Sequence, residues 1–169
     1  MARPHDAAFD RFVAGGSHAL LRLATLLTQD HGHAEDLVQT ALLKTCQRWP
    51  TLRDPDNAAA YARRVLVTTA ASWRRRRSAQ ELVDMPASDV VSVDPDRIAD
   101  RAVMAAALRS LPPRMRAVLV LRYWEDLSEV ATAEMLGCSV HTVRSQTSRG
   151  LARLRTTLAP AQPITAKGP

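Results

Sequence analysis

A chain of 169 residues, 46% of them hydrophobic, can hold one ordinary domain or two small ones with a real core in either case. Two lone cysteines, Cys46 and Cys138, make neither a disulfide framework nor a zinc signature, which points to a reducing cytoplasm. The formal charge of +6 points toward polyanionic partners, while a polar start, MARPHDAAFDRF, and the lack of any apolar run near ~20 residues predict neither a signal peptide nor a membrane span.

The charge is unevenly spread. Residues 1–60 are net −1, 61–78 hold six arginines and no acid, 79–110 are net −3, and 111–169 are net +4. Two basic blocks separated by an acidic stretch suggest two nucleic-acid surfaces joined by a connector.

In chain order, residues 7–28 have helical periodicity through Phe9, Phe12, Val13, Leu20, Leu23, Ala24 and Leu27, with a weak point at Gly15-Gly16. A turn at 30–32 precedes a second helix, His33 to Trp49, which is expected to stop at Pro50. Its inner face carries Leu37, Ala41, Leu42, Thr45 and Trp49. Asp56 or Asn57 is expected to cap a third helix running to about Arg77, with Tyr61, Val65, Leu66, Thr69 and Trp73 at helical spacing. Six cations without an acid over residues 61–78 suit phosphate binding better than a solvated helix end, and Thr68, Thr69 and Ser72 add small hydrogen-bonding groups.

Periodicity then fails from Ser78 to Pro95, where Asp, Ser and Pro are frequent, as in a tethering linker. Helix resumes from Asp96 to Ser110, and Pro112-Pro113 opens another that runs through Leu121 toward Trp124. The stretch Asp126 to Arg155, DLSEVATAEMLGCSVHTVRSQTSRGLARLR, has the pattern of a helix-turn-helix. Ser128 and Ser139 are the expected N-caps, and Gly137 ends the first helix because glycine takes the left-handed conformation without strain. Ala133 leaves room for two helices to cross closely. Val140, Val143, Thr147, Leu151, Leu154 and Leu158 form one expected buried stripe. The opposite face presents Ser139, Thr142, Arg144, Ser145, Gln146, Ser148 and Arg149, groups suited to phosphates and base edges. Residues 159–169 resemble a frayed tail. The fold class expected is all-α: two small helical domains joined by a flexible linker.

Enzyme chemistry finds no support. Asp30, His31, His33, Glu35 and Asp36 are metal-ligand types, but no second ligand set stands at suitable spacing, and the six glycines build no phosphate loop. No catalytic residue, metal or cofactor is expected.

From about Phe9 to Leu158 the chain resembles the extracytoplasmic-function (group IV) sigma factors of the sigma-70 superfamily, in an actinobacterial manner. AEDLVQTALLKTCQRW (34–49) is similar to region 2.2, YARRVLVTTAASWRRRR (61–77) to regions 2.3 and 2.4, and LPPRMRAVLVLRYWEDLSEVATAEMLGCSVHTVRSQTSRGLARLR (111–155) to region 4. The resemblance implies region 2 over 1–78, an acidic linker over 79–95 in place of region 3, region 4 over 96–158 and a disordered tail over 159–169. It implies that Glu35, Asp36 and Gln39 contact the β′ clamp coiled coil of RNA polymerase core. Arg63, Arg64, Thr68, Thr69, Ser72, Trp73, Arg74, Arg75, Arg76 and Arg77 would recognise and help open the −10 element. The helix from Ser139 to Arg149 would read the −35 element in double-stranded promoter DNA while other surfaces meet the β-flap tip. An anti-sigma factor is a further implied partner. The chain departs from the family pattern at Thr68, where Asn is frequent, at Thr40, where an acid is common, and at His141, where Gly is frequent. A free-standing helix-turn-helix regulator is the rival reading, disfavoured because residues 1–78 show no β/α alternation and no acidic phosphoacceptor pocket.

Overall fold

The computed structural model describes residues 7–52, 54–79 and 95–159, with side chains of Pro55, 74–79 and 95–101 left out. Every regular element among the described residues is helical, as the all-α reading expects. The expected linker and tail lie almost wholly outside the described residues.

Three long helices come first: α1 (Ala7–Thr28), α2 (His31–Leu52) and α3 (Pro55–Ala79). Each packs against the other two. Leu23, Leu37 and Leu66 meet in their shared core at no more than 1% exposure. Burial of each such side chain is worth about 1.5–3 kcal/mol. Thr45 is fully buried there and satisfies its hydroxyl by donating to the Ala41 carbonyl at 2.7 Å. Gly15-Gly16 causes no break, because α1 is held on both sides of it: Leu20, Leu23 and Ala24 enter the core, and Phe9 and Phe12 pack with Trp49 at centroid distances of 5.1 and 5.5 Å.

Several boundaries differ from the sequence expectation, among them the start of α2, which is His31 rather than His33. Pro50 lies inside α2, which continues to Leu52. Proline removes one helical hydrogen bond, but in a last turn that loss is small, and the Thr51 hydroxyl donates to the Arg48 carbonyl at 2.8 Å. The cap of α3 is Asp54 rather than Asp56 or Asn57. Its Oδ1 accepts from the Asp56 N–H at 3.0 Å and its carbonyl from the Ala58 N–H at 3.0 Å, with Pro55 in the first helical position. Asp30 caps α2 in the same way, accepting the His33 N–H at 2.7 Å, so part of the acidic–histidine cluster has a structural role.

The second half comprises α4 (Pro95–Arg109), α5 (Pro113–Leu119), a π-turn over Val120–Trp124, α6 (Glu129–Leu136) and α7 (Val140–Leu158). In the π-turn the Glu125 N–H donates five residues back, to the Val120 carbonyl at 3.1 Å. Two apolar clusters build this half. Leu108, Leu111, Met115 and Leu119 pack with Leu151 and Leu154; Val118, Ala133 and Val143 pack with Leu136 and Val140. Ala133 is 4% exposed at the crossing, as its size predicts. Gly150 has a different reason for being small: a Cβ there would stand 2.9 Å from Leu119 Cδ1, so α7 lies directly on α5.

The expected stripe on α7 faces inward through Leu154, with Val143 fully buried and Val140, Thr147, Leu151 and Leu154 half-buried, and fails at its end. Leu158 is 39% exposed, because the last turn outruns its apolar neighbours and the cross-helix contact beside it is polar, Ser110 Oγ to Thr157 Oγ1 at 3.5 Å.

Candidate nucleic-acid interface

Local rules build the helix-turn-helix. Ser128 Oγ accepts the Ala131 N–H at 3.0 Å and starts α6. Gly137 ends it at φ 64°, while Cys138 N–H donates to the Ala133 carbonyl at 3.0 Å and Gly137 N–H to Glu134 at 3.3 Å. That is a Schellman motif, and a side chain at Gly137 would carry the usual left-handed penalty of about 1–2 kcal/mol. Ser139 Oγ then accepts the Thr142 N–H at 3.1 Å and starts α7.

With Val143 fully buried, the opposite side of α7 points outward. His141, Arg144, Ser148 and Arg149 are exposed there and Ser145 is half-buried. Arg149 is folded along the helix, with Nε donating to the Ser145 carbonyl at 3.2 Å and Nη2 to Ser145 Oγ at 3.1 Å. Arg144 Nε donates to Glu129 Oε2 at 2.7 Å, so a first-turn carboxylate of α6 aims an arginine of α7. Sequence reading missed Glu129, since fifteen residues separate the partners and only the helix crossing joins them.

The remaining residues of the expected face are differently placed. Ser139 is committed to capping, and its Oγ also lies 2.9 Å from Thr142 Oγ1. Gln146 sits on the flank, lining a shallow cavity with Arg114, Cys138 and Thr142, and its Oε1 is shielded from solvent.

On α3, Arg63, Arg64 and Thr68 are exposed, Thr69 and Ser72 are half-buried, and Trp73 packs against the α1–α3 core. The Thr68 hydroxyl donates to the Arg64 carbonyl at 2.8 Å. Arg63 Nε lies 3.6 Å from Glu125 Oε2, across the two halves of the molecule. The side chains of Arg74, Arg75, Arg76 and Arg77 lie outside the described residues, although α3 runs through them.

On α2, Glu35, Asp36 and Gln39 are all exposed, and Glu35 Oε1 lies 3.2 Å from His31 Nε2. Leu43 extends this outward strip with 60% exposure, a large apolar group one turn beyond Gln39. Periodicity could not single it out, because Leu42 beside it takes the inner position. In the second half Tyr123 and Trp124, both on the π-turn, and Val130 are exposed by 55–60%. These too were not anticipated.

Comparison with known proteins decides what this architecture is. Residues 16–80 match the family described as sigma-70 region 2, and residues 101–154 match sigma-70, region 4. The chain is 42% identical over 152 residues to the RNA polymerase sigma-E factor of Streptomyces coelicolor, covering 87% of this chain and 84% of that protein. The chain belongs to the sigma-70 family. As an extracytoplasmic-function sigma factor it directs RNA polymerase core to promoters and promotes DNA opening at initiation. The SigM factor of Mycobacterium tuberculosis is similar as well, 31% identical over 150 residues, with 87% of this chain and 75% of that protein covered. Among solved structures, the sigma factor RpoE in complex with the anti-sigma factor NepR from Bartonella quintana aligns with a TM-score of 0.64. It is 24% identical and covers 93% of this chain and all of that one, which shows the shared fold. The region 2 match, lying on α1–α3, sets the free-standing regulator aside. No helix among the described residues of this sigma factor is long and apolar enough to cross a membrane.

Proposed function

We propose that this sigma factor grips a promoter at two points and the polymerase at others, acting in the cytoplasm by binding alone and without catalysis of its own. The observation that carries this reading is α7, standing on α5 and α6 by its buried Val143 face and turning His141, Ser145, Ser148 and Arg149 outward. A capped helix so mounted suits the major groove at the −35 element. Arg144 and Thr142 flank that face, while Ser139 contributes by fixing the helix start. Residues 1–78 would form the −10 lobe, with Arg63, Arg64, Thr68 and the run Arg74 to Arg77 on the phosphates, and with Thr69, Ser72 and Trp73 nearer the opening strand. Residues 96–158 would form the −35 lobe, and 79–95 the tether. Unstacked bases captured by the first lobe would drive opening with no chemical fuel. Two modest grips held at one separation by the polymerase gain specificity through effective concentration.

The polymerase contact of the first lobe is assigned to Glu35, Asp36 and Gln39, for the β′ clamp, together with Leu43. A side chain 60% exposed on an otherwise polar strip fits the apolar anchor of a protein interface. The exposed Tyr123, Trp124 and Val130 are assigned to the β-flap tip on the same ground. An anti-sigma factor covering either surface would act by competition.

Leu43→Asp tests the assignment. It is expected to weaken binding to core polymerase about 10- to 100-fold, as loss of one buried leucine and a desolvated carboxylate require. Thermal stability should hold, because the side chain is outside the core. Unchanged affinity, measured by titrating labelled protein with core, would remove Leu43 and its strip from the interface.

A further inference from the structure

Arg144 of α7 and Glu129 of α6 form an ion pair that the helix-turn-helix does not need for its own assembly. Val143 is already fully buried with Val118 and Ala133, Gly137 sets the turn, and Ser128 and Ser139 cap the two helices. An exposed pair adds little stability to such a scaffold. Its two members differ in freedom. Glu129 stands in the first turn of α6, where the helix dipole favours a carboxylate, and its side chain is 34% exposed. The Arg144 side chain is 67% exposed, so the carboxylate is the anchor and the arginine is the group it places.

The contact uses one edge of the guanidinium. Glu129 Oε2 accepts the Nε–H at 2.7 Å, which leaves the Nη1 and Nη2 groups as a forward fork. Such a fork matches O6 and N7 of guanine, and it matches a phosphate equally well. The carboxylate separates the two cases. It offsets the arginine's charge, and a phosphate drawn to Arg144 would also approach Glu129, whereas a guanine edge carries no net charge. Arg149 provides the contrast. Its Nε and Nη2 rest on the carbonyl and hydroxyl of Ser145, neutral acceptors of its own helix, so its charge is not offset by them.

We propose that Glu129 is a positioning residue that sets promoter specificity: by holding Nε it commits Arg144 to a guanine of the −35 element and keeps it off the phosphates. The role rests on the reading of α7 as the −35 helix. It gives a residue outside that helix a part in sequence choice. An arginine already aimed loses less side-chain freedom on docking. A base contact adds discrimination, where a phosphate contact adds only salt-dependent affinity.

Equilibrium binding of purified holoenzyme tests this role. The DNA is a promoter fragment from which the holoenzyme initiates, its single base-pair variants across the −35 element, and a non-promoter fragment of equal length. Glu129→Ala is expected to lower the preference for one guanine about 5-fold, the low end for a bidentate arginine contact. Affinity for the non-promoter fragment should rise, and its salt slope should steepen by about 0.9 as Arg144 turns to a phosphate. Glu129→Gln, whose amide oxygen still accepts the Nε–H, should keep most of the preference. Added to Arg144→Ala, Glu129→Ala should change no remaining base-pair preference, because it acts through that arginine. Preference and slope unchanged by Glu129→Ala, with Arg149→Ala still weakening promoter binding, would overturn the positioning role alone. A further preference lost on adding Glu129→Ala to Arg144→Ala would also overturn it, since the carboxylate would then be reading DNA itself. Promoter binding indifferent to Glu129→Ala, Arg144→Ala and Arg149→Ala alike would overturn the −35 reading of α7 and this role with it.

Discussion

Replacing Arg149 by alanine is expected to weaken promoter binding by the polymerase holoenzyme about 5- to 150-fold, the range for one arginine contact to a base edge. The side chain is exposed on the outward face of α7, and its two bonds to Ser145 hold the guanidinium over the middle of the helix. A base contact would be lost selectively, relaxing preference at one position of the −35 element. A phosphate contact would instead weaken all sequences alike and reduce the salt slope by about one. Arg144→Ala should follow the same pattern with a smaller loss, because its Nε is already committed to Glu129. Core binding should be untouched in both variants, since neither side chain belongs to the α2 strip or to the Tyr123–Val130 surface. Quantitative footprinting beside a core-binding titration checks this, and loss of core affinity would show that α7 faces polymerase instead of DNA.

The larger electrostatic effect is expected at the end of α3. Stepwise replacement of Arg74, Arg75, Arg76 and Arg77 by glutamine should lower the salt slope of promoter binding by roughly 0.9 for each duplex phosphate contact, or roughly 0.7 on a single strand. Four contacts would thus remove a slope of about 3, a loss near 100-fold between 50 and 200 mM salt. The competing account is a solvated helix end whose cations complement the macrodipole, worth about 0.3–1 kcal/mol each in stability. It predicts a lower melting temperature with an unchanged slope. Measuring both quantities on each variant separates them.

How far the sequence could be read depended on whether the cause of a feature was local. Ser128, Gly137 and Ser139 carry their conformations in their own chemistry, and the helix-turn-helix follows from them. The arginine block was legible for the same reason, whereas on α2 Gln39 came in only with the family resemblance and Leu43 was not singled out. Boundaries were lost where tertiary packing overrode a local signal, as at Pro50, where Trp49 in an aromatic cluster holds the last turn of α2 in place. The π-turn was invisible because five-back bonding has no periodic signature, and Val120–Leu121 look like the continuation of α5. Pairs such as Arg144 with Glu129 and Arg63 with Glu125 arise only when separate helices meet. Val120 and Leu121 are the extreme case: both are ordinary core residues buried against α1–α3, and nothing in their spacing says what buries them.

Transcription from defined promoters tests the two-point promoter grip most directly. Core RNA polymerase is incubated with the purified protein on a library of genomic promoter fragments, and transcript 5′ ends are mapped against core alone. Discrete new start sites are predicted, each preceded by paired elements near −35 and −10, with Arg149→Ala and the Arg74 to Arg77 series weakening them through different elements. A start-site profile indistinguishable from that of core alone would contradict the central claim.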